Sequence, residues 1–332
     1  MSKISRILNR IPNQVYLWIA VLIFASSNSV TRKIIDLGAH HFVNGRNPIS
    51  LCNVLFVGNI CAFLLMILIF YPDWQPSKLK NLTRQDWIIL TVVGILSGAI
   101  APALIFTALA QTNVTNVVLI GRLEPLITLA LSVWLLKTRV NSWTVSGSLV
   151  SFVGVAVTVW HGLHIGKGEL LIAIAAAILA VATVISKSRL QSISIGIFSV
   201  YRTAVGTIVF FILANILYGS HHFAQAFSPY LWAWMILYAA VIVVIGQLCW
   251  FAGLRNANSA QTNLASSINP LAAIVMAYLI LGEVPTSAQY LGGSIIIVGV
   301  VLSAVANFNL TVAPLKMNPA QMMMMAVGFR GI

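Results

Sequence analysis

Ten apolar stretches, each of about twenty residues, leave this chain one solvent, because a run of that length spans the hydrocarbon core of a bilayer as a helix. They fall at 15–34, 49–71, 87–110, 113–136, 142–160, 169–187, 195–217, 231–254, 261–281 and 288–308. Lipid offers no partner to an open backbone group, so the stretches must be helices. Composition closes the alternative. The chain is 59% hydrophobic and 8% charged, whereas a soluble domain carries roughly 25% charged residues. The connections are short apart from 72–86 and 218–230, and none suggests a separate soluble domain. The Met-rich stretch 309–332 reads as a cytoplasmic tail.

Shifted by 145 residues, the chain lies on itself. Phe106, Leu109, Asn113, Leu119, Pro125, Leu126, Leu136, Ser142, Gly147, Val153, Gly154 and Val155 fall without a gap on Phe251, Leu254, Asn258, Leu264, Pro270, Leu271, Leu281, Ser287, Gly292, Val298, Gly299 and Val300. Farther upstream Trp87 falls on Trp232 and Thr83 on Ser228. Residues 1–161 and 162–308 therefore read as two five-helix repeats. An odd number of spans per repeat makes the second enter the membrane from the opposite side. The expected architecture is all-α, with ten transmembrane helices as two inverted repeats. Transporters of this design place their site near the bilayer midplane, on the repeat interface.

The basic residues orient the bundle. With a cytoplasmic N-terminus, thirteen Lys and Arg fall inside and four outside, as the positive-inside rule requires. Both termini are then cytoplasmic. The net charge of +13 is thus mostly topology and attraction to anionic lipid, not a nucleic-acid footprint. The basic N-terminus lacks a small-residue cleavage site and reads as an uncleaved anchor. Cys52, Cys61 and Cys249 sit inside spans and read as small apolar residues. The six histidines, His40, His41, His161, His164, His221 and His222, fall on the expected outer side and read as solvated loop residues, with no metal-ligand spacing.

Polar groups inside spans are the candidates for function. Arg122 and Glu124 lie mid-span in the fourth stretch, where a charge costs at least ~3 kcal/mol on insertion scales. Two residues apart on a helix, they point about 200° from each other, so each needs its own partner. Arg202 in the seventh span is one candidate for Glu124; Asn28, Gln247 and Asn269 are neutral ones. Glu124 is read as a substrate-binding or proton-coupling carboxylate, against the alternative of a permanently paired charge holding helices together. Arg122 divides evenly between binding an anionic group and structural pairing. The repeat places Asn269 on Glu124, each directly before a proline, and Ser267 on Arg122. A proline inside a helix frees the carbonyl four residues earlier and bends the axis, so Pro125 and Pro270 read as hinges that free Gly121 and Ser266. Thr262, Ser266 and Asn269 make one polar stripe, which lines a cavity or bonds helices together. Trp250, Tyr238 and Tyr278 read more readily as packing than as pocket walls. The glycines at 94, 98, 147, 154, 292, 293 and 299 permit close helix contact, and a homodimer face on the fifth and tenth spans is one use for them. Thr83 and Asp86 make a capping box at the start of the third span.

The duplicated fourth and fifth helices carry a resemblance. They read Asn269-Pro270, Leu281-Gly282-Glu283, Tyr290-Leu291-Gly292-Gly293 and Gly299-Val300 in the second half. The first half has Glu124-Pro125, Leu136-Lys137-Thr138, Gly147 and Gly154. With these the chain resembles the EamA-like ten-helix members of the drug/metabolite transporter superfamily, over nearly the whole transmembrane region. Two features depart from the pattern. Phe24-Ala25-Ser26-Ser27-Asn28 stands where the family often has a Trp-Gly-Ser element, and Thr138 replaces the acidic residue that its mate Glu283 retains. The resemblance implies a multi-pass secondary transporter of the inner or plasma membrane, often an exporter of small organic metabolites.

Two other classes compete. An intramembrane enzyme would need an acid–base pair, and the chain has no HExxH, GxSxG, paired intramembrane aspartates or phosphate loop. A non-transporting membrane receptor or assembly protein is the other. The expected partners are a small-molecule substrate, the lipid bilayer and, through Glu124, protons; no cofactor is expected.

Overall fold

In a computed structural model the chain is described over residues 13–38, 50–74, 79–80, 82–137, 142–160, 166–189, 193–219, 223–254 and 259–308. Among these, all regular structure is helical. In chain order the helices are α1 (Asn13–Gly38), α2 (Leu51–Ile69), α3 (Arg84–Ile95), α4 (Ala101–Leu109), α5 (Val114–Ile120), α6 (Leu123–Leu136), α7 (Ser142–Trp160), α8 (Lys167–Arg189), α9 (Ile195–Tyr218), α10 (Pro229–Tyr238), α11 (Gly246–Leu254), α12 (Ser259–Leu281) and α13 (Ser287–Phe308). Seven stretches are long and apolar enough to cross a membrane, among them 84–109, 114–135 and 229–250, each assembled from two successive helices. Shorter apolar helices at Val145–Val157, Ile268–Leu281 and Ser287–Leu302 fall in the fifth, ninth and tenth expected spans. The histidines and residues 309–332 lie outside the described residues.

Two joints share one backbone conformation. Between α3 and α4, residues Leu96–Ile100 form a π turn, and between α10 and α11, Ala239–Ile245 form another. In the first, the Ala101 amide donates to the Leu96 carbonyl, five residues back. In the second, the Gly246 amide donates to Val241. Those two hydrogen bonds coincide under the 145-residue shift. The left-handed residues that close α6 and α12 coincide too: Lys137 at φ 50° and Gly282 at φ 71°. Duplication is thus visible in backbone conformation as well as in sequence.

The repeat mates α7 and α13 pack against each other along their lengths. Gly154 faces Gly292, Ser151 faces Ile296 and Gly147 faces Gly299. As the number rises on one helix it falls on the other, so the mates run antiparallel. A Cβ on Gly154 would stand 2.7 Å from the Gly292 carbonyl oxygen, and one on Gly299 would overlap that of Gly147. Glycine is required here for backbone approach. These small-residue faces are therefore occupied within the chain.

Local signals explain the ends. Thr83 caps α3 in the expected box: its amide donates to Asp86 at 2.8 Å, and the Asp86 amide donates to Thr83 Oγ1 at 3.2 Å. Its repeat mate Ser228 stands at the N-cap of α10. Two apolar clusters dominate the interior. One joins α2, α9, α10 and the second π turn around Leu55, Met235 and Phe223. The other joins α4, α5, α8 and α12 around Leu109, Val118 and Ala277.

A cleft lined by Glu124 among five helices

The fourth expected span is broken where its charges lie. α5 ends at Ile120, Gly121 and Arg122 form a turn, and α6 begins at Leu123, with Glu124 and Pro125 in its first turn. Pro125 has no amide to offer the Gly121 carbonyl, and the Glu124 amide takes it instead at 3.1 Å. The mate differs: α12 runs unbroken from Ser259 to Leu281 with Pro270 inside it. One of the two proline positions therefore coincides with a break in the helix and the other does not.

Glu124 is buried, 9% exposed, and lines a narrow, partly open cleft. Asn28 of α1 shares that cleft, as do Ile105 of α4, Val117 of α5 and Gly121. The remaining wall is α8, which presents Ile172, Ala175, Ala176 and Leu179 at helical spacing. One turn deeper on the same face, Thr183 Oγ1 donates to Glu124 Oε1 at 3.4 Å. The cleft is thus apolar on most sides, with one carboxylate and one carboxamide placed in it.

The other candidates distribute differently. Arg122 is equally buried and lies within electrostatic reach of Glu124, but does not line the cleft. Arg202, 2% exposed, donates through Nη1 to the Ser97 carbonyl at 3.1 Å. That carbonyl is available because of the π turn: the Ala101 amide bonds to Leu96, and Pro102 has no amide. Asn269 lies on α12 with a buried Oδ1 that meets no hydrogen-bond donor among the described residues. The side chains of Ser266, Gln247 and Thr262 lie outside the described residues. Tyr238 pairs with Ser27 at 2.8 Å, Trp250 packs edge-on to Phe24, and Tyr278 is exposed.

Sequence reasoning placed α8 as the sixth span but put no site residue on it. Its residues are alanines and aliphatics, which carry no polar mark. The signal that would have found them is Thr183 and the small residues at 175 and 176, spaced onto one helical face.

Comparison with known proteins adds the relatives. The EamA-like transporter family model matches residues 14–160 and again 166–305. An uncharacterized transporter of Synechocystis sp., sll1164, is 53% identical, with 100% of this chain and 99% of that protein covered. The uncharacterized transporter YyaM of Bacillus subtilis is 24% identical, covering 74% of this chain and 81% of that one. A riboflavin transporter of Fusobacterium nucleatum, ImpX, is 23% identical over 75% of this chain and 86% of its own. A crystal structure at 17% identity superposes with a TM-score of 0.55, covering 90% of this chain and 99% of that one, which shows the fold.

Proposed function

Since the chain belongs to the EamA-like transporter family and is a multi-pass membrane protein, we propose that it is a secondary transporter whose substrate sits in the cleft around Glu124. The substrate is a small organic metabolite or amphipathic compound, and the direction is export across the inner or plasma membrane. Ten spans with both termini in the cytoplasm carry out alternating access between the two repeats. The observation that supports this most is a buried carboxylate on α6 lining a cleft between helices of both repeats: α1, α4 and α5 from the first, α8 from the second.

The lining suggests what fits. Ile105, Val117, Ile172 and Leu179 offer apolar contact, while Glu124 and Asn28 offer acceptors and one amide donor. A compact, largely apolar molecule bearing a protonated amine or another strong donor matches that wall. The same carboxylate, when no substrate occupies it, is the group available to carry a proton. The polar residues Asn269, Ser266, Gln247 and Arg122 belong to this reading as groups met when the repeats rearrange, with Pro125 and Pro270 at the bends.

The test is flux in reconstituted vesicles. Losing a charge-assisted hydrogen bond costs about 1.5–3 kcal/mol, so Glu124→Gln should weaken substrate affinity roughly 10- to 150-fold. It should also remove any dependence of flux on the proton gradient. Unchanged affinity and unchanged coupling in a folded Glu124→Gln protein would remove the carboxylate from the site.

A further inference from the structure

Above the cleft, α1, α4, α5 and α8 each contribute a side-chain or backbone polar group about one turn farther out. On α1, Asn28 is followed at four residues by Arg32, which donates to the Leu109 carbonyl and, at 3.5 Å, to that of Thr112. On α4, Ile105 is followed at four residues by Leu109 itself. On α8, Ile172 is preceded at three residues by Glu169, which accepts from Thr112 Oγ1 and, at 3.0 Å, from Asn116 Nδ2. On α5, Val117 is preceded at three residues by Val114, whose amide donates to Glu283 Oε1 at 3.1 Å. The Thr115 amide donates to the other oxygen of Glu283 at 3.3 Å. Gln289 of α13 joins this ring of polar groups around the cleft by donating to Asn116 Oδ1 at 2.7 Å. The Gln289 side chain is fixed in turn by the Thr286 amide, which donates to its Oε1 at 2.7 Å.

Arg32, Thr112, Asn116 and the start of α5 belong to the first family match; Glu169, Glu283 and Gln289 belong to the second. The ring therefore bonds the two repeats to each other at one end of the bundle, directly over the cleft. Its packing is close: a Cβ on Gly168 would stand 3.0 Å from the Thr112 Cβ. It is also one-sided in sequence. At the positions 145 residues away, Glu283 is matched by Thr138, Gln289 by Thr144 and Thr112 by Ala257, and only Asn116 keeps an amide mate, Gln261. The duplicated fold could have carried the same lock at both ends, but its carboxylates stand at one.

We propose that this ring is the gate of the cleft. It holds the bundle shut at the end the basic residues assign to the outer face, and its parting admits or releases the substrate there. The inference goes beyond the transport reading, because whether the ring closes the cleft is independent of what the cleft carries.

The experiment is thiol accessibility in sealed membrane vesicles of both orientations. Cys52, Cys61 and Cys249 are replaced by alanine, and one new cysteine is placed at Ala176, on the cleft wall. A companion protein carries Lys167→Cys, which is exposed beside the ring and shows which vesicles present that end to a membrane-impermeant maleimide. From that end the Ala176→Cys protein should label at least fivefold more slowly than the Lys167→Cys protein. Asn116→Asp keeps the shape of the ring but sets a like charge against Glu169, and should raise Ala176→Cys labelling at least fivefold. Adding Glu169→Gln to Asn116→Asp restores a donor facing a carboxylate and should return labelling to the parent rate. Gly168→Val should open the ring by bulk alone. Labelling of the parent as fast as Lys167→Cys would overturn the gate, as would folded Asn116→Asp and Gly168→Val proteins that label no faster than the parent. Labelling needs no substrate. A gate that opens as described in a protein that moves nothing would leave this inference standing and remove the transport reading; flux through a protein whose labelling ignores the ring would do the reverse.

Discussion

A guanidinium inside a bilayer needs an acceptor that no water will supply, and Arg202 has one in a backbone carbonyl released by a π turn. Glu124 is housed differently, lining the cleft with a threonine beside it. The two charges therefore call for opposite experimental outcomes. Arg202→Ala would leave both a cavity and an unsatisfied Ser97 carbonyl, and should lower thermal stability by about 2–4 kcal/mol. Arg202→Met fills most of the volume and should cost only about 1–2 kcal/mol, the share due to the carbonyl. Substrate affinity should be unchanged in both, whereas Glu124→Gln should show the reverse pattern. A thermal melt beside a binding isotherm separates them. Sequence alone offered Arg202 as a possible partner for Glu124 and a candidate binding residue; its bond to the Ser97 carbonyl was not legible, because a released carbonyl is a property of backbone conformation. Pro102 hints at it, but its repeat mate is Gln247, and the second π turn forms without a proline.

At the level of helices, the α7–α13 crossing is the tightest statement of the duplication. Gly154→Leu and Gly299→Leu are the same change under the 145-residue shift, and each drives a side chain into the opposing backbone. Each should cost about 1–3 kcal/mol of stability as overpacking, and the two losses should agree closely. Thermal unfolding of the purified single variants checks this; a large loss in one and none in the other would mean the two faces are not equivalent. The helices themselves were legible in the sequence, since runs of apolar residues and paired glycines survive in any reading of the chain. The break at Gly121 and Arg122 was not. An apolar run shows where lipid is, but does not distinguish a bent helix from two short ones, and Pro125 and Pro270 look alike until the backbone around them is seen. The cleft was half legible: Glu124 and Asn28 are polar where polarity is costly, while the α8 wall is alanine where alanine is ordinary.

For the whole molecule, the consequence lies in how the halves hold together. The first match ends at 160 and the second begins at 166, so little chain connects them. Expressed as separate chains, 1–161 and 162–332 should meet in the membrane and co-purify, and Gly154→Leu in the first should abolish the recovery of the second. Failure of the unmodified halves to associate would show that the connection is needed for assembly. The α7–α13 crossing has one more property. Each of its faces is complementary to an upside-down copy of itself, so a half-length ancestor inserted in both orientations would already have had a way to pair. Gene fusion would then have had only to tie two such copies together, after which each could drift, so that Glu283 stands in one where Thr138 stands in the other. The asymmetry of the present chain is what a fused pair gains once its partners no longer have to be identical.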